Sequence, residues 1–366
     1  MPLDPDLPTV ELTVVVPSFN ERDNVGPLIQ RLDQALSGLA WEVIYVDDDS
    51  PDGTAAQVKA LAQRDARVRC VHRIGRRGLS TAVIEGVQAS SAPYVAVIDA
   101  DLQHDETLLP KMLAAIKADG LDVVVGSRYV GGGGVGDWDK GRVAMSGIAT
   151  RLARLVVSAD LTDPMSGYFL ITRAAFDRAV RQLSGQGFKI LLDLFASTPA
   201  PYRFKELPFT FRPRLHGESK LDSLVVWEYL MLLLDKMFGR FVPVRFVLFG
   251  AVGGSGAFVH LLTLRLMLTH FDFPISQATA AVVAMTSNFA LNNLLTYRDR
   301  RLRGIRFLWG LLSFYAVCAI GAVANVGIAS AAFAHQYSWW VAGLAGIAVG
   351  VVWNYAVSWV FTWRAR

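Results

Sequence analysis

The chain has 366 residues, 52% hydrophobic and only 19% charged, with a mean hydropathy of +0.34 and a formal net charge of +4. That length suffices for two or three domains, and the low polarity excludes disorder, collagen and coiled coil and places part of the chain in a bilayer. The charge is uneven: residues 240–366 hold 10 Arg, no Lys and 2 acidic residues, a net of +8 that leaves −4 on the remainder. The basic balance therefore belongs to the apolar third, and we expect no nucleic-acid partner.

Cys70 and Cys318 lie in segments of opposite character, which excludes a disulfide scaffold or a thiolate metal site and suits a reducing compartment. Met1–Glu11 lacks a basic stretch followed by an apolar run, so no signal peptide is expected.

From the N-terminus, Leu12–Val16, Glu42–Val46, Val68–His72, Tyr94–Ile98 and Asp122–Gly126 are short, Val-rich runs of the kind that form buried parallel strands. Between them Asn24–Leu39, Thr54–Arg64, Gly78–Ala89 and Thr107–Ala118 carry apolar residues at helical spacing. This βαβα order predicts an α/β, Rossmann-like doubly wound sheet that binds ligands at the carboxyl ends of its strands. Gly131–Gly136 predicts a mobile loop. Arg142–Ser158 and Leu221–Gly239 mix apolar and charged residues at helical spacing, which suits the membrane surface or burial against the α/β domain.

After residue 240 the chain predicts four transmembrane helices, 244–268, 274–295, 307–333 and 339–361, each long enough for a hydrocarbon core of about 30 Å. Arg240, Arg245, the run Arg298–Arg306, Arg364 and Arg366 fall on one side, whereas Thr269–Phe273 and Ala334–Ser338 contain no Lys or Arg. The positive-inside rule then makes both termini and the α/β domain cytoplasmic. The segment Asn288–Arg298 aligns without gaps with Asn354–Arg364, matching Asn288/Asn354, Ala290/Ala356, Thr296/Thr362 and Arg298/Arg364, which predicts two repeated helical hairpins. Within the first span, His260 and Arg265 are ionisable, and Arg265 is near enough to the outer end to snorkel. The expected organisation is a catalytic domain over 1–220, an interfacial helix or linker over 221–240 and a membrane domain over 241–366.

The strongest chemical signal is Asp99-Ala-Asp101-Leu-Gln103-His104, two carboxylates at i and i+2 after a buried strand with a carboxamide two residues on. Hard oxygen donors so spaced suit Mg²⁺ or Mn²⁺ bridging to a diphosphate, whereas the simpler reading is capping of the helix near Thr107. Asp47-Asp-Asp-Ser-Pro-Asp-Gly53 carries more acid than a turn requires and reads as carboxylates for a base, ribose or metal, as a turn, or as both.

Together Pro17-Ser-Phe-Asn-Glu21, Val46–Thr54, Asp99–His104, Gly126-Ser-Arg-Tyr129, Asp163-Pro-Met-Ser-Gly-Tyr-Phe169 and Gly217-Glu-Ser-Lys-Leu221 resemble the dolichol-phosphate mannose synthases, inverting family 2 glycosyltransferases with a GT-A fold. The apolar tail resembles GtrA-like membrane domains. The resemblance implies that Pro17, Phe19, Glu21, Val46, Asp48 and the stretch Asp99, Ala100, Asp101 hold a sugar nucleotide. It implies Asp99, Asp101 and Gln103 as ligands of Mg²⁺ or Mn²⁺, and Arg128, Arg142, Ser146, Arg214 and Lys220 as the groups around the lipid and sugar phosphates. Asp99, Asp101, Arg128 and Lys220 are the catalytic set so implied. Phe19 stands where the family often has Tyr, so stacking is kept and a hydroxyl contact is not, and Asp105 stands where Pro is common.

A polyprenyl phosphate is already an anionic nucleophile, so no base need deprotonate it. No Gln-x-x-Arg-Trp motif, a mark of processive synthases that glycosylate hydroxyls, occurs near Gly187–Asp193. The expectation is inverting transfer of mannose from GDP-mannose to a dolichyl or undecaprenyl phosphate at the cytoplasmic face of the bilayer. UDP-glucose or another UDP-sugar is the alternative donor, and a lipid-linked-sugar translocase or scaffold with an inactive domain is the alternative class. Intact Asp99, Asp101, Gln103, Arg128 and Lys220 argue against inactivity.

Overall fold

The computed structural model describes residues 9–136, 140–185, 187–213, 223–238 and 242–363. The chain divides into two compact units after Met237. The first is built on strands β1 Leu12–Ser18, β2 Trp41–Asp47, β3 Val68–His72, β4 Tyr94–Val97, β5 Val123–Ser127, β6 Phe169–Thr172 and β7 Phe204–Pro208. They form one sheet in the order β3-β2-β1-β4-β6-β5-β7, parallel except for β6, which runs antiparallel to both neighbours. The first five strands are those expected from their β-branched runs. The last two, and the reversal at β6, are additions to that expectation.

Alternate residues point to opposite faces of a strand, and both faces here are covered, which is why β1 and β2 are buried along their whole length. Val15, Ile44, Val97 and Val125 join one core with Ala82, Val83 and Val87 of α3 (Leu79–Ala89, the third helix after α1 Arg22–Ala35 and α2 Thr54–Ala62). Val14, Val16, Tyr45 and Val124 join the other, with Val25, Leu28 and Leu32 of α1 and Leu109, Met112 and Leu113 of α4, Leu109–Ala118.

The remaining helices of this unit are α5 Lys140–Ala153, α6 Arg173–Ala179, α7 Ile190–Ser197 and α8 Ser223–Phe238. The two stretches read as lying on the membrane or against the α/β domain both form helices with one side buried against that domain. Tyr229, Leu232 and Leu233 of α8 enter the core, and the Tyr229 hydroxyl donates to the Ala149 carbonyl of α5 at 2.6 Å. Val226, Leu230 and Met237 of α8, with Met145 and Ile148 of α5, stay exposed. The glycine run is tied down rather than left as an open loop: Gly134 N–H donates to Phe209 O, and Phe211 N–H to Gly134 O, at 3.1 and 2.9 Å.

The second unit contains α9 Val244–Met267, α10 Phe273–Leu291, α11 Ile305–Ala334 and α12 Trp339–Val357, with α9 packed on α10 and α11 on α12. Among the described residues three spans, Val244–Met267, Ile305–Ala332 and Leu344–Thr362, are long and apolar enough to cross a membrane. The expected span 274–295 does form a helix but falls short by this measure, because Ser276, Gln277, Thr279, Thr286, Ser287 and Asn288 dilute its apolar residues.

The repeat is visible in three dimensions. Both hairpins end in a π-helical turn, Asn292–Thr296 and Ser358–Thr362, closed by Tyr297 N–H to Asn292 O at 2.8 Å and Trp363 N–H to Ser358 O at 3.0 Å. The two aromatic rings that follow stack on each other, centroids 4.1 Å apart. The repeat extends into the first helix of each hairpin, Phe249-x-Ala-Val-x-x-x-Gly-Ala257 matching Phe314-x-Ala-Val-x-x-x-Gly-Ala322. Gly256 faces Asn288 and Gly321 faces Asn354, so closely that a Cβ at either glycine would collide with the carboxamide. Small residues at such crossings let helix backbones approach, and packing is what holds helices together in lipid.

Candidate active site

Strands β1, β2, β4 and β5 are parallel, so the motifs that follow them share one sheet edge. The reversal of β6 brings the preceding loop, Asp163–Tyr168, to the same edge. The direction of the chain changes sides between β1 and β4, the place where doubly wound sheets bind ligands.

On the β1–β3 side, Asp47 is a folding residue, accepting from Ser50 N–H at 2.9 Å and Ser50 Oγ at 2.6 Å. Asp48 points the other way. Its Oδ1 pairs with Arg73 Nη1 at 2.5 Å and its Oδ2 accepts from Gly78 N–H at 2.7 Å. Burial pushes the Asp48 carboxyl above its ordinary value, against the opposing pull of the Gly78 N–H and the Arg73 guanidinium. The Arg77 guanidinium lies 4.2 Å over the Phe19 ring. Glu21 ends the turn into α1, its backbone N–H donating to Thr54 Oγ1 at 3.0 Å and its carboxylate accepting from Asn24 Nδ2 at 2.7 Å. Pro17 and Val46 are paired neighbours in the sheet, and the Val46 side chain is spent on the core beside Val15 and Gly86. A contribution of Val46 to a ligand would therefore come from its backbone.

After β4, Asp99, Asp101 and Gln103 come together on a tight turn whose Leu102 has φ +63°. The turn is locked from behind by residues that the sequence left unassigned. His104 is buried, accepts the Asp99 N–H at Nδ1 (3.1 Å), and stacks on Tyr168 with centroids 5.0 Å apart. Burial pushes His104 down to about 4, so the imidazole is neutral and its Nε2 carries the proton. Gln103 Nε2 donates to Arg212 O at 2.9 Å, and Arg212 N–H returns a bond to Gln103 O at 2.9 Å. The Arg212 guanidinium then grips Asp105 and Glu106, both at 2.7 Å.

The donor set fits a divalent ion of the Mg²⁺ type: two hard carboxylates, with a Gln amide oxygen on the same turn, is what such ions take from protein when a substrate diphosphate completes the shell. The turn is also kept clear for it. A Cβ at Gly167 would lie 3.2 Å from Asp99 Oδ2, crowding the carboxylate from below.

On the far side, Arg128 is 9% exposed and its Nε and Nη2 each reach Asp163 at 2.7 Å, a bidentate pair in which Asp163 is fully buried. Asp163 is in turn seated by Glu206, which accepts its N–H at 3.1 Å. The Gly126–Tyr129 motif points to Arg128, whereas its partner Asp163 opens the Asp163–Phe169 motif and emerges as functional only from the pairing. Ser146 of α5 shares a hydrogen bond with Tyr129 Oη at 2.7 Å, which ties it to the same strand end. Arg142 belongs to α5, but its side chain lies outside the described residues, as do Arg214 and Lys220. Asp99, Ala100, Asp101, Gln103, Arg128 and Ser146 are thus gathered on one edge with Pro17, Phe19, Glu21, Val46 and Asp48.

Residues 13–179 match the family described as Glycosyl transferase family 2, and residues 248–363 match GtrA/DPMS, transmembrane domain. The dolichol-phosphate mannosyltransferase of Pyrococcus furiosus is 34% identical over 358 residues, 97% of this chain and 99% of that protein. The Saccharomyces cerevisiae protein of the same name is 36% identical over 66% of this chain and 92% of its own length. Among solved structures, glucosyl-3-phosphoglycerate synthase from Mycobacterium tuberculosis, determined with Mn²⁺ and UDP, aligns with a TM-score of 0.44 at 22% identity, covering 62% of this chain and 79% of that one. The apolar helices and the matched membrane domain make this a membrane protein, and the chain belongs to the dolichol-phosphate mannosyltransferase family of glycosyltransferases.

Proposed function

We propose that the protein transfers mannose from GDP-mannose to a polyprenyl phosphate at the cytoplasmic membrane face, inverting the anomeric carbon. The observation that carries this reading is the juxtaposition of the Asp99/Asp101 turn with the Arg128–Asp163 pair on one sheet edge, in a chain that matches its relative from Pyrococcus furiosus over nearly its whole length. Phe19, Asp48 and the backbone around Pro17 and Val46 take the nucleoside, with Arg73 fixing Asp48. Asp99 and Asp101, with Gln103, hold Mg²⁺ or Mn²⁺, which when bound neutralises the diphosphate and stabilises it as a leaving group.

The attacking group is the phosphate of the lipid, an oxyanion at neutral pH, so the chain supplies position and positive charge rather than a base. His104 fits this division of labour. Buried and neutral, it orients the Asp99 backbone and takes no proton from the acceptor. Arg128, with Arg142, Ser146, Arg214 and Lys220, offsets repulsion between two anionic substrates, and Asp163 sets the plane of the Arg128 guanidinium. The arginine asymmetry of the membrane domain supports a cytoplasmic catalytic domain with both termini on the same side.

The test is a purified sample given GDP-mannose or UDP-glucose, each with undecaprenyl or dolichyl phosphate. Mannose appearing in the lipid phase supports the reading, and transfer from UDP-glucose alone overturns the donor.

A further inference from the structure

The loop after β3, residues 73–78, brings three arginines to the nucleoside side of the site. Arg73 is spent on Asp48 and on Thr81 Oγ1, and Arg76 forms a bidentate pair with Glu85 at 2.8 and 3.0 Å. Arg77 is exposed, and among the described residues it has no ion-pair partner. Its guanidinium is laid instead over the half-buried Phe19, 4.2 Å from the ring centroid. An exposed cation–π contact of this kind is weak, so the side chain gains by exchanging it for a larger flat surface.

The backbone around Arg77 is fixed where its side chain is not. Asp49 Oδ2 accepts from Gly75 N–H at 3.1 Å, Asp48 Oδ2 accepts from Gly78 N–H at 2.7 Å, and Arg73 Nη1 donates to Gly78 O at 3.1 Å. Gly75 and Gly78 take φ of +68° and +135°, conformations that let the loop turn back toward these two acids. The Gly75 N–H, followed by His72 and, from farther away, Arg77, holds the Asp49 carboxyl below its ordinary value. The acids that follow β2 therefore anchor the loop that carries Arg77 over Phe19.

The spacing decides what this contact can become. A flat ring between the guanidinium and Phe19 needs two stacking separations of about 3.5 Å, about 7 Å in all, whereas the gap is 4.2 Å. A base stacks on this face of Phe19 only if the guanidinium lifts by roughly 3 Å, which rotation of a long exposed side chain supplies. The lifted guanidinium then meets the second face of the base, a planar π surface like the one it has left.

We propose that Arg77 is a donor-binding residue that completes a clamp on the nucleobase, with Phe19 on one face of the base and the Arg77 guanidinium on the other. A two-ring base gives both jaws more surface than a one-ring base, so the clamp favours a purine nucleoside diphosphate over a pyrimidine one. The inference rests on the reading of Phe19 as nucleoside-binding and of GDP-mannose as donor, and deepens it.

The experiment uses the full-length protein in detergent with Arg77→Ala, Arg77→Lys and, as a control that removes the same charge from the same loop, Arg76→Ala. Each variant is checked by thermal melting. Dissociation constants of GDP and UDP are measured by calorimetry with Mg²⁺, alongside the KM for GDP-mannose and for polyprenyl phosphate. Arg77→Ala should weaken GDP binding and raise the GDP-mannose KM about tenfold, weaken UDP binding about twofold at most, and leave the acceptor KM within about twofold. Arg77→Lys, which keeps the charge and loses the plane, should recover little of that loss, and Arg76→Ala should change no constant beyond about twofold. Unchanged or tighter GDP binding in Arg77→Ala would show that the side chain merely covers the ring. Full rescue by Arg77→Lys, or equal loss of GDP and UDP, would show that it acts only as a charge. Any of these results overturns the inference. A wild-type protein that binds UDP more tightly than GDP instead overturns the donor reading, and the purine preference with it.

Discussion

Replacing Asp163 with Leu would remove the carboxylate that grips the Arg128 guanidinium at a position only 9% exposed, where the two lost 2.7 Å bonds cannot be taken over by bulk water. Removing one partner of a buried pair typically costs about 3–5 kcal/mol, which for a domain of this size lowers the melting temperature by roughly 10 °C. Replacing both residues, Asp163→Leu with Arg128→Met, removes the buried charge and should recover most of that loss. Activity should not recover, because the account asks Arg128 to face the substrate phosphates in a plane that Asp163 sets. Thermal melting and mannosyl transfer measured on the two single variants and the double variant separate the two roles. A double variant that regains both stability and turnover would show the pair to be structural only, and a single Asp163→Leu variant with wild-type melting would refute the energetic argument itself.

Chelation with EDTA, and Asp99→Asn or Asp101→Asn, should each lower turnover on the order of 10²-fold or more, restored by Mg²⁺ or Mn²⁺ only in the wild type; undiminished activity in EDTA would end the metal assignment. Because His104 sits at about 4 when folded against an ordinary 6.5, the unfolded chain binds more protons between those values, so in EDTA the stability present above pH 6.5 should decline as pH falls toward 4, and His104→Phe should flatten that slope in melting curves. Gly256→Ala and Gly321→Ala should each loosen one membrane hairpin, seen as a lower melting temperature of the membrane unit in detergent, whereas Gly254→Ala, which meets nothing, should not. Cysteine labels in Thr269–Phe273 should react from outside the cell and labels in Arg298–Arg306 should not; the reverse pattern would move the catalytic domain to the other side.

The five strands announced by short Val-rich runs formed because such runs have one good fate, burial between two layers of helix. Strand β7 escaped notice because an edge strand reading Phe-Lys-Glu-Leu-Pro is half exposed and carries charge. The four residues of β6 give too short a signal, and their direction is a property of the neighbours they meet rather than of their own side chains. The same division runs through the site. Asp99 and Asp101 were legible because their spacing is local chemistry. The pairings Arg128–Asp163 and Arg73–Asp48 join residues 35 and 25 apart in sequence, and only the fold chooses such partners. The polar residues scattered through α10 dilute its hydropathy below that of the other spans, while its length and flanking apolar residues still match their pattern.

The proposed reaction is a direct displacement at C1 by a lipid phosphate, with no base and no covalent intermediate on the protein. It is tested most directly by the anomeric configuration of the product formed from GDP-α-mannose and polyprenyl phosphate, read from the one-bond carbon–hydrogen coupling at C1 in NMR. A β-linked mannosyl phosphodiester is the predicted result. An α-linked product, or mannose that remains out of the lipid phase, would contradict the account.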